Sequence, residues 1–189
     1  MMMKKIILFA SGAGTNVENI IRYFQEKKTA DVAAVFCNNP HAPVLDKATK
    51  LGISTYVFTK EAFNTNAVLD KVKSYQPDLI VLAGFLLQFP AAIIKEFPCI
   101  INIHPALLPK YGGKGMYGMN VHRAVLENKE IETGITIHFV TENYDEGEIV
   151  FQKTVCVIGC NSAEEVAEKI HQLEKDYFPQ VIEQILQKI

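Results

Sequence analysis

Short apolar runs alternate with longer, helix-like segments over the first half of the chain. The apolar runs predict five buried strands, at Lys5–Ala10, Val32–Cys37, Ser54–Phe58, Leu79–Ala83 and Cys99–His104. Apolar residues at helical spacing predict helices between them, from about Thr15 and over Val44–Leu51, Ala67–Tyr75 and Pro90–Phe97. Because strands and helices alternate and the strands are almost continuously apolar, we expect a largely parallel sheet with helices on both faces.

The pattern changes after the fifth predicted strand. A glycine-rich loop over Tyr111–Gly118 and a short helix over Val121–Asn128 come first. Alternating hydrophobicity then predicts two strands, Gly134–Val140 and Ile149–Val157, which we expect to form an antiparallel hairpin on the edge of the sheet. The spacing of Ser162–Glu165 is typical of a capping box and predicts a long terminal helix.

Length and composition are those of one globular domain. The 189 residues, 49% hydrophobic and 21% charged, can bury one sizeable core, so we expect a single Rossmann-like α/β domain over residues 1–189. A net charge of -2 argues against a general nucleic-acid or membrane-surface protein, and no segment has the length of a membrane span. The basic-then-apolar start is too short for a signal peptide. We therefore expect a cytoplasmic protein.

Cysteines and histidines show no spacing typical of a metal site. The four cysteines form no paired C-x-x-C motif, so neither zinc nor a redox dithiol is predicted. Three of them lie in strand-like runs and are expected to be reduced core residues: Cys37, Cys99 and Cys156. We interpret His41, His122 and His138 as structural or surface residues.

Asn102 and His104 lie two positions apart in the fifth predicted strand. Residues i and i+2 of a strand point to the same face, so the amide and the imidazole are expected side by side. Burying two polar groups there is costly unless they are satisfied or used. A histidine beside an amide donor suits acyl or formyl transfer, because the ring can move a proton while the amide holds a developing oxyanion. The structural alternative is that backbone hydrogen bonds satisfy both side chains at the end of the strand.

The segment Ser11–Asn16 is a glycine turn between the first strand and the first helix. Its glycines let the backbone turn tightly and the helix start exposes N–H groups, so a phosphate is expected against Gly14, Thr15 and Asn16. The turn lacks the third glycine of a dinucleotide fingerprint and the lysine of a P-loop, which favours a phosphomonoester. Ligands gather at the carboxyl ends of such strands, so this turn and His104 are expected to face one cleft. A glycine turn without a ligand is the alternative.

Two acidic residues are further candidates. Asp145 lies in the loop of the predicted hairpin, and a carboxylate close to His104 would raise the pKa of the imidazole. Glu174 falls on the apolar stripe of the last helix, where it could close the phosphate end of the pocket or bind an amine. A solvated loop for Asp145 and a salt bridge at the edge of the stripe for Glu174 are the structural alternatives.

Several stretches match one enzyme family in its order along the chain: Ser11–Asn16, Ala83–Phe85, Asn102–Pro109, His138–Thr141 and Asp145–Gly147. They are spread through essentially the whole chain, and they resemble the glycinamide ribonucleotide formyltransferases, the folate-dependent enzymes of purine synthesis. The resemblance implies a Rossmann-like formyltransferase domain that takes a formyl group from 10-formyltetrahydrofolate and gives it to the amine of glycinamide ribonucleotide. It implies Asn102, His104 and Asp145 as catalytic residues, and no metal, because the formyl group is already activated on nitrogen.

The same three catalytic residues are shared by methionyl-tRNA formyltransferases and formyltetrahydrofolate deformylases, so they indicate the chemistry better than the substrate. The purine enzyme is favoured because the glycine turn lies close to the N-terminus. We also expect neither a C-terminal RNA-binding domain nor a regulatory domain before the first strand. Hydrolysis of the folate and formylation of another amine are the alternatives within this class. A non-catalytic binder of phosphorylated sugars is the alternative from another class, and the polar strand end weighs against it.

The resemblance also assigns the binding residues. The acceptor is expected against Gly14, Thr15 and Asn16, with the last helix closing over it from His171 to Glu174. The residues implied for the folate are Leu86, Leu87, Gln88, Phe89, Asn102, Val140, Thr141 and Asp145. Leu87 and Asn66 stand where many members have arginine, and the loop Gly112–Gly118 is longer than the commonest version and has no assigned role. The expected partners are these two small molecules, without nucleic acid or membrane, and a monomer or homodimer.

Overall fold

The computed structural model describes residues 3–189. Within that range the chain forms the strands β1 (Lys4–Ala10), β2 (Ala30–Cys37), β3 (Ser54–Val57), β4 (Leu79–Leu82), β5 (Ile100–His104), β6 (Glu132–Phe139) and β7 (Ile149–Cys156). They form one sheet in the order β3-β2-β1-β4-β5-β6-β7. The first five strands pair in parallel, whereas β6 is antiparallel to both β5 and β7. The predicted parallel sheet with an antiparallel edge hairpin is confirmed.

The helices between the strands are mostly those that the periodicity predicts. They are α1 (Thr15–Lys27), α2 (Pro43–Lys50), α3 (Lys60–Phe63), α4 (Asn66–Tyr75), α5 (Ala91–Glu96), α6 (Met119–Glu127) and α7 (Ala163–Leu186). The hydrophobic pattern does not predict α3, because four residues are too few to show a helical period. The capping side chain of Thr59, which accepts a hydrogen bond from the Ala62 N–H at 3.2 Å, is its local signal.

Each face of the sheet packs against its own layer of helices. Along β1, Ile6 and Leu8 belong to one core cluster, and Ile7 and Phe9 belong to the other, as the period of a strand requires. The first cluster contains buried side chains of α1 and α7, and the second contains those of α4 and α5. The central strands β1, β4 and β5 carry no regular polar alternation because both of their faces are covered.

The hairpin strand β7 forms one edge of the sheet and is half exposed. Cys156 at its end is exposed, so the prediction that it is a core residue is wrong. Cys37 is buried and Cys99 is partly buried. The core prediction for Cys156 rests on hydrophobicity alone, and hydrophobicity does not show that β7 has a neighbouring strand on one side only.

Ser162 begins α7 as predicted, and its hydroxyl oxygen accepts a hydrogen bond from the Glu165 N–H at 3.2 Å. The Glu165 carboxylate reaches back to the Asn161 N–H at 2.7 Å, one residue earlier than in the usual capping box. Among residues 3–189, no helix combines the length and apolar character needed to cross a membrane.

The turns at the carboxyl ends of the parallel strands are tied to one another through Ser11. Its N–H donates to the Gly84 carbonyl at 3.0 Å, and its hydroxyl accepts from the Leu86 N–H at 3.0 Å. The same hydroxyl donates to the Asn38 side-chain oxygen at 2.7 Å. These bonds bring the ends of β1, β2 and β4 to one edge of the sheet, where the cleft opens.

Candidate active site

A cleft of about 680 Å³ opens at the carboxyl ends of β1, β4 and β5. It is lined by every residue assigned to catalysis or substrate binding from the sequence: Gly14, Thr15, Asn16, Leu86, Leu87, Gln88, Phe89, Asn102, His104, Val140, Thr141, Asp145, His171 and Glu174. The predicted common cleft for the glycine turn and His104 is therefore present. Asn66 begins α4 and is not among the residues that line the cleft.

The centre of the cleft contains Asn102, His104 and Asp145, which we call the triad. Asn102 and His104 lie on β5, which has hydrogen-bonded neighbours on both sides. Strand geometry points the two side chains to the same face, as predicted, and His104 is buried. Asp145 reaches them from the loop between β6 and β7, with its Oδ2 3.5 Å from His104 Nδ1.

Both ring nitrogens of His104 face protein oxygens. Its Nε2 lies 2.7 Å from the Tyr111 carbonyl oxygen, which can only accept, so Nε2 carries a hydrogen. Nδ1 then faces the Asp145 carboxylate at 3.5 Å. A neutral ring can donate to only one of these oxygens, whereas the imidazolium can donate to both. The hydrogen-bond geometry thus suits a ring that gains its second proton at Nδ1.

The pKa of His104 is nevertheless lowered, so the raised value expected from the sequence is wrong. Burial is the largest cause and disfavours the charged ring. The Asp145 carboxylate and the Tyr111 carbonyl oppose it, and the neighbouring His138 adds to the lowering. The effect of Asp145 has the predicted sign, but the desolvation that outweighs it cannot be read from the sequence.

Asp145 is held in place by several groups. Its Oδ2 accepts a hydrogen bond from the Gly113 N–H at 2.9 Å, and its Oδ1 lies 3.5 Å from His138 Nε2. Burial raises the pKa of Asp145, whereas the neighbouring His104 ring and the Gly113 N–H lower it, and the pKa lies below its usual value. The carboxylate is therefore ionised at neutral pH, and the alternative of a solvated loop residue is excluded by its burial and contacts.

His138 contacts the triad and is not among the site residues predicted from the sequence. It is buried on β6 directly opposite Asn102. Its Nδ1 donates to the Phe139 carbonyl oxygen at 2.9 Å, which leaves Nε2 to accept a hydrogen bond from Asn102 Nδ2 at 3.2 Å. This bond orients the Asn102 amide and leaves its second N–H free. The sequence feature that could identify His138 is its spacing from Thr136, because the two are polar residues two positions apart in an apolar strand.

The glycine turn forms one end of the cleft. Gly14 has a left-handed φ of 71° and caps α1, so the N–H groups of Thr15 and Asn16 lie at the start of a helix. A side chain at Gly14 would collide with Val44. The turn therefore requires glycine both for its backbone angle and for its close packing, and it presents donors suited to an anion.

Glu174 and two histidines complete this end of the cleft. Glu174 is buried on α7 and accepts a hydrogen bond from Asn16 Nδ2 at 3.0 Å. Burial raises the pKa of Glu174 to about 7, against the lowering effect of that bond. His171 lies one turn earlier on α7, and its ring centroid is 6.5 Å from that of the buried His122. Burial, with the charges of His171 and His104, lowers the pKa of His122 to about 4.

The raised pKa of Glu174 gives a testable pH dependence. The pKa of Glu174 is about 7 in the folded protein against an ordinary value of 4.5, so the folded form holds the proton more tightly. The stability that this group contributes is therefore present below pH 4.5 and is lost as the pH rises through 7. We expect Glu174→Gln, which has no charge to bury, to gain stability relative to the parent protein by on the order of 3 kcal/mol over this pH range.

Urea unfolding of both proteins at several pH values between 4 and 8.5, roughly the range over which buried and free carboxyl groups titrate, would measure this difference. The matched control is Glu168→Gln, because Glu168 is an exposed carboxylate on the same helix. A stability difference between Glu174→Gln and the parent protein that did not change with pH would contradict the expectation.

The other end of the cleft is formed by two loops. The segment Leu86–Phe89 follows β4, and the segment Val140–Asp145 follows β6. The Gln88 side chain donates to the Glu142 carbonyl oxygen at 2.7 Å, which links the two loops. Phe89 is buried against Phe9, with ring centroids 5.0 Å apart. The pocket between the loops therefore has an apolar floor and backbone groups at its rim, which suits a flat, partly apolar ligand.

Within residues 3–189, no cluster of three or more histidine, cysteine, aspartate or glutamate side chains is arranged to hold a metal ion. The cleft brings together an amide donor, a histidine–carboxylate pair and a glycine turn whose N–H groups suit an anion. These are the groups that acyl or formyl transfer to a phosphorylated acceptor requires.

Comparison with known proteins gives the family. The family model described as formyl transferase matches residues 4–182. The chain is 36% identical over 187 residues to the chloroplastic phosphoribosylglycinamide formyltransferase of Arabidopsis thaliana, covering 95% of this chain and 64% of that protein. It is 32% identical over 191 residues to the phosphoribosylglycinamide formyltransferase of Bacillus subtilis (strain 168), covering 97% of this chain and 95% of that protein.

Solved structures agree with the sequence comparison. The crystal structure of glycinamide ribonucleotide transformylase 1 from Symbiobacterium toebii has a TM-score of 0.90 at 29% identity, covering 98% of this chain and 89% of that one. The chain spans less than two thirds of the plant relative, at 64%, but nearly all of the Bacillus relative, at 95%. With the family model matched over residues 4–182 and the Bacillus relative covered almost end to end, the chain belongs to the formyl transferase family.

Proposed function

We propose that this protein transfers a formyl group from 10-formyltetrahydrofolate to the amine of glycinamide ribonucleotide in purine biosynthesis. The products are formylglycinamide ribonucleotide and tetrahydrofolate. The observation that carries the proposal is that one cleft has an anion-binding glycine turn at one end and the triad at its centre. The names of the Arabidopsis and Bacillus relatives support the same acceptor.

Asn102 stabilises the charge that develops on the formyl oxygen. One N–H of its amide donates to His138 Nε2, so the second N–H is available to the oxyanion. The attacking group is the amine of the acceptor, and the bond that breaks joins the formyl carbon to N10 of the folate. A fixed amide needs little rearrangement at the moment of reaction, and His138 fixes it.

His104 and Asp145 carry out the proton transfer from the acceptor amine to the folate nitrogen. The amine loses a proton as its bond to the formyl carbon forms, and the departing folate nitrogen gains one. His104 Nε2 donates its hydrogen to the Tyr111 carbonyl. The ring nitrogen that can gain and lose a proton during the reaction is therefore Nδ1, next to Asp145. The proton therefore passes along the Asp145 side of the ring, directly or through a water that the carboxylate orders.

The two ends of the cleft bind the two substrates. Gly14, Thr15 and Asn16 hold the phosphate of the acceptor at the start of α1, and His171 and Glu174 close over it from α7. The donor occupies the other end, with Leu86, Leu87, Gln88 and Phe89 on one side and Val140, Thr141 and Asp145 on the other. The protein acts on these small molecules in the cytoplasm, as a monomer or homodimer and without nucleic acid.

We expect release of tetrahydrofolate from the formyl donor to depend on glycinamide ribonucleotide. The reason is that the triad needs an amine nucleophile, and the anion-binding turn selects a phosphorylated one. The absorbance change on conversion of 10-formyltetrahydrofolate to tetrahydrofolate measures this directly, with and without acceptor. Equal release in both arms would show a hydrolase instead. Release only with a different amine would keep the chemistry and reject the acceptor.

A further inference from the structure

The segment Lys110–Gly113, at the start of the glycine-rich loop, contacts both members of the proton-handling pair. The Tyr111 carbonyl accepts from His104 Nε2 at 2.7 Å, and the Gly113 N–H donates to Asp145 Oδ2 at 2.9 Å. Two backbone groups from positions two apart therefore hold the histidine and the carboxylate at the same time. The relative position of the two side chains depends on where this segment lies.

The Tyr111 carbonyl decides which nitrogen of His104 is reactive. A carbonyl cannot donate, so it keeps the hydrogen on Nε2 and turns Nδ1 toward Asp145. If the segment moved away, the ring would lose this preference and could present either nitrogen to the cleft. Because the carbonyl also raises the pKa of His104 against the effect of burial, its loss would make the ring harder to protonate.

The Lys110–Gly113 segment is tightly packed on the side that faces the triad. A Cβ added at Gly112 would lie 3.3 Å from Asp145 Cβ and 2.6 Å from Leu108 Cδ2. Tyr111 and Asp145 both have left-handed backbones, with φ values of 57° and 56°. Such angles are unfavourable for residues other than glycine and persist only where surrounding contacts impose them. Something outside the cleft must therefore hold the segment.

That contact is made by Glu130, which follows α6 and does not line the cleft. The Tyr111 phenol donates to Glu130 Oε1 at 2.9 Å, and Lys110 Nζ lies 2.9 Å from the same oxygen. The Lys110 side chain is 68% exposed, so its ion pair is screened by water. The Tyr111 ring packs on a small core cluster under α6, and this makes the phenol bond the stronger anchor.

We propose that Tyr111 and Glu130 are positioning residues for the reaction. Their side-chain contact fixes the Lys110–Gly113 segment, and the segment fixes the orientation of His104 and Asp145 through the Tyr111 carbonyl and the Gly113 N–H. This gives a role to the first part of a loop that the resemblance left without one. The inference rests on the proposed function for its activity readout only.

The test uses side-chain changes that leave the two backbone groups in place. Tyr111→Phe and Glu130→Ala each remove the anchor, and we expect each to lower kcat by about 5- to 50-fold, with the KM of both substrates nearly unchanged. The pKa of His104 should fall in both variants, because the Tyr111 carbonyl then contacts Nε2 for less of the time. Glu130→Gln keeps an acceptor oxygen for the phenol and should recover most of the lost kcat.

Lys110→Met is the matched control, because it removes only the exposed partner of Glu130. Its kcat should stay within about twofold of the parent value. The double variant Tyr111→Phe/Glu130→Ala should lose no more than either single variant, since both changes remove the same bond.

The titration of His104, followed by NMR of its ring carbon-bound proton, needs no substrate and separates this proposal from the proposed function. A lowered pKa of His104 in Tyr111→Phe and Glu130→Ala would support the positioning role even if glycinamide ribonucleotide were not the acceptor. Parent-like kcat and an unchanged His104 titration in both variants would overturn it. A loss of kcat that followed a loss of thermal stability, with the His104 titration unchanged, would assign Tyr111 and Glu130 a purely structural role.

Discussion

Replacing His104 with alanine is expected to lower kcat by roughly two to four orders of magnitude, the usual contribution of a positioned acid–base group. Asn102→Ala is expected to cost about a hundredfold, as removal of an oxyanion donor does in other enzymes. In the proposed mechanism both residues act on the transition state at the centre of the cleft, so KM for either substrate should change much less than kcat. Steady-state kinetics with each substrate varied in turn measures both quantities.

The two losses should not be independent. The proposed mechanism assigns His104 and Asn102 to the same step, so the double variant should lose less than the product of the single losses. His41→Ala is the control, because His41 is exposed and lies outside the cleft, and it should turn over like the parent protein. Folded Asn102 and His104 variants with near-normal kcat would show that the pair is structural.

The parts of the fold that the sequence predicts are those with a strong local period. Continuous apolar runs such as Leu79–Leu82 identify the buried parallel strands, and alternation identifies the β6–β7 hairpin. The pair Asn102 and His104 is found by the same logic, because a strand places residues two apart on one face. Local pattern is sufficient where the strand geometry itself creates the neighbourhood.

His138 shows where local pattern is insufficient. Its contact with Asn102 depends on the register between β5 and β6, which are separated by a loop and a helix. Nothing in either strand alone sets that register. The histidine can therefore be recognised as a polar residue in an apolar strand, but its partner can be named only when the pairing is known.

Asp145 and the pKa of His104 show a second limit. An aspartate in an acidic hairpin loop looks solvated, and its burial comes from the Gly112–Gly113 segment packing over it. The sign of the His104 shift depends on that same burial, since desolvation outweighs the nearby carboxylate. Pairwise charge reasoning gives the direction of one contribution, whereas the total requires the surrounding atoms.

Gly14→Val is expected to weaken binding of glycinamide ribonucleotide by roughly a hundredfold, the loss of about two charged hydrogen bonds, while donor binding stays within a few-fold. Two effects combine. Valine disfavours the left-handed φ of 71°, and its side chain would collide with Val44 at the start of α2. Relieving that collision requires the turn to move, and the N–H groups of Thr15 and Asn16 then no longer converge on the proposed phosphate position.

Calorimetric titration with each substrate separates the two ends of the cleft, and Gly52→Val separates the two causes. Gly52 also has a left-handed φ, of 76°, but it lies in the turn before β3 with open space around it. Gly52→Val therefore carries a similar backbone strain without a collision, and it should lose stability while it keeps its affinity for the acceptor. Asn16→Ala provides a variant that keeps the turn but loses the bond to Glu174, and its acceptor affinity should fall by a smaller factor. If Gly14→Val and Asn16→Ala both folded and bound the acceptor as tightly as the parent protein, the phosphate would lie elsewhere. The glycine turn would then have a structural role without a ligand.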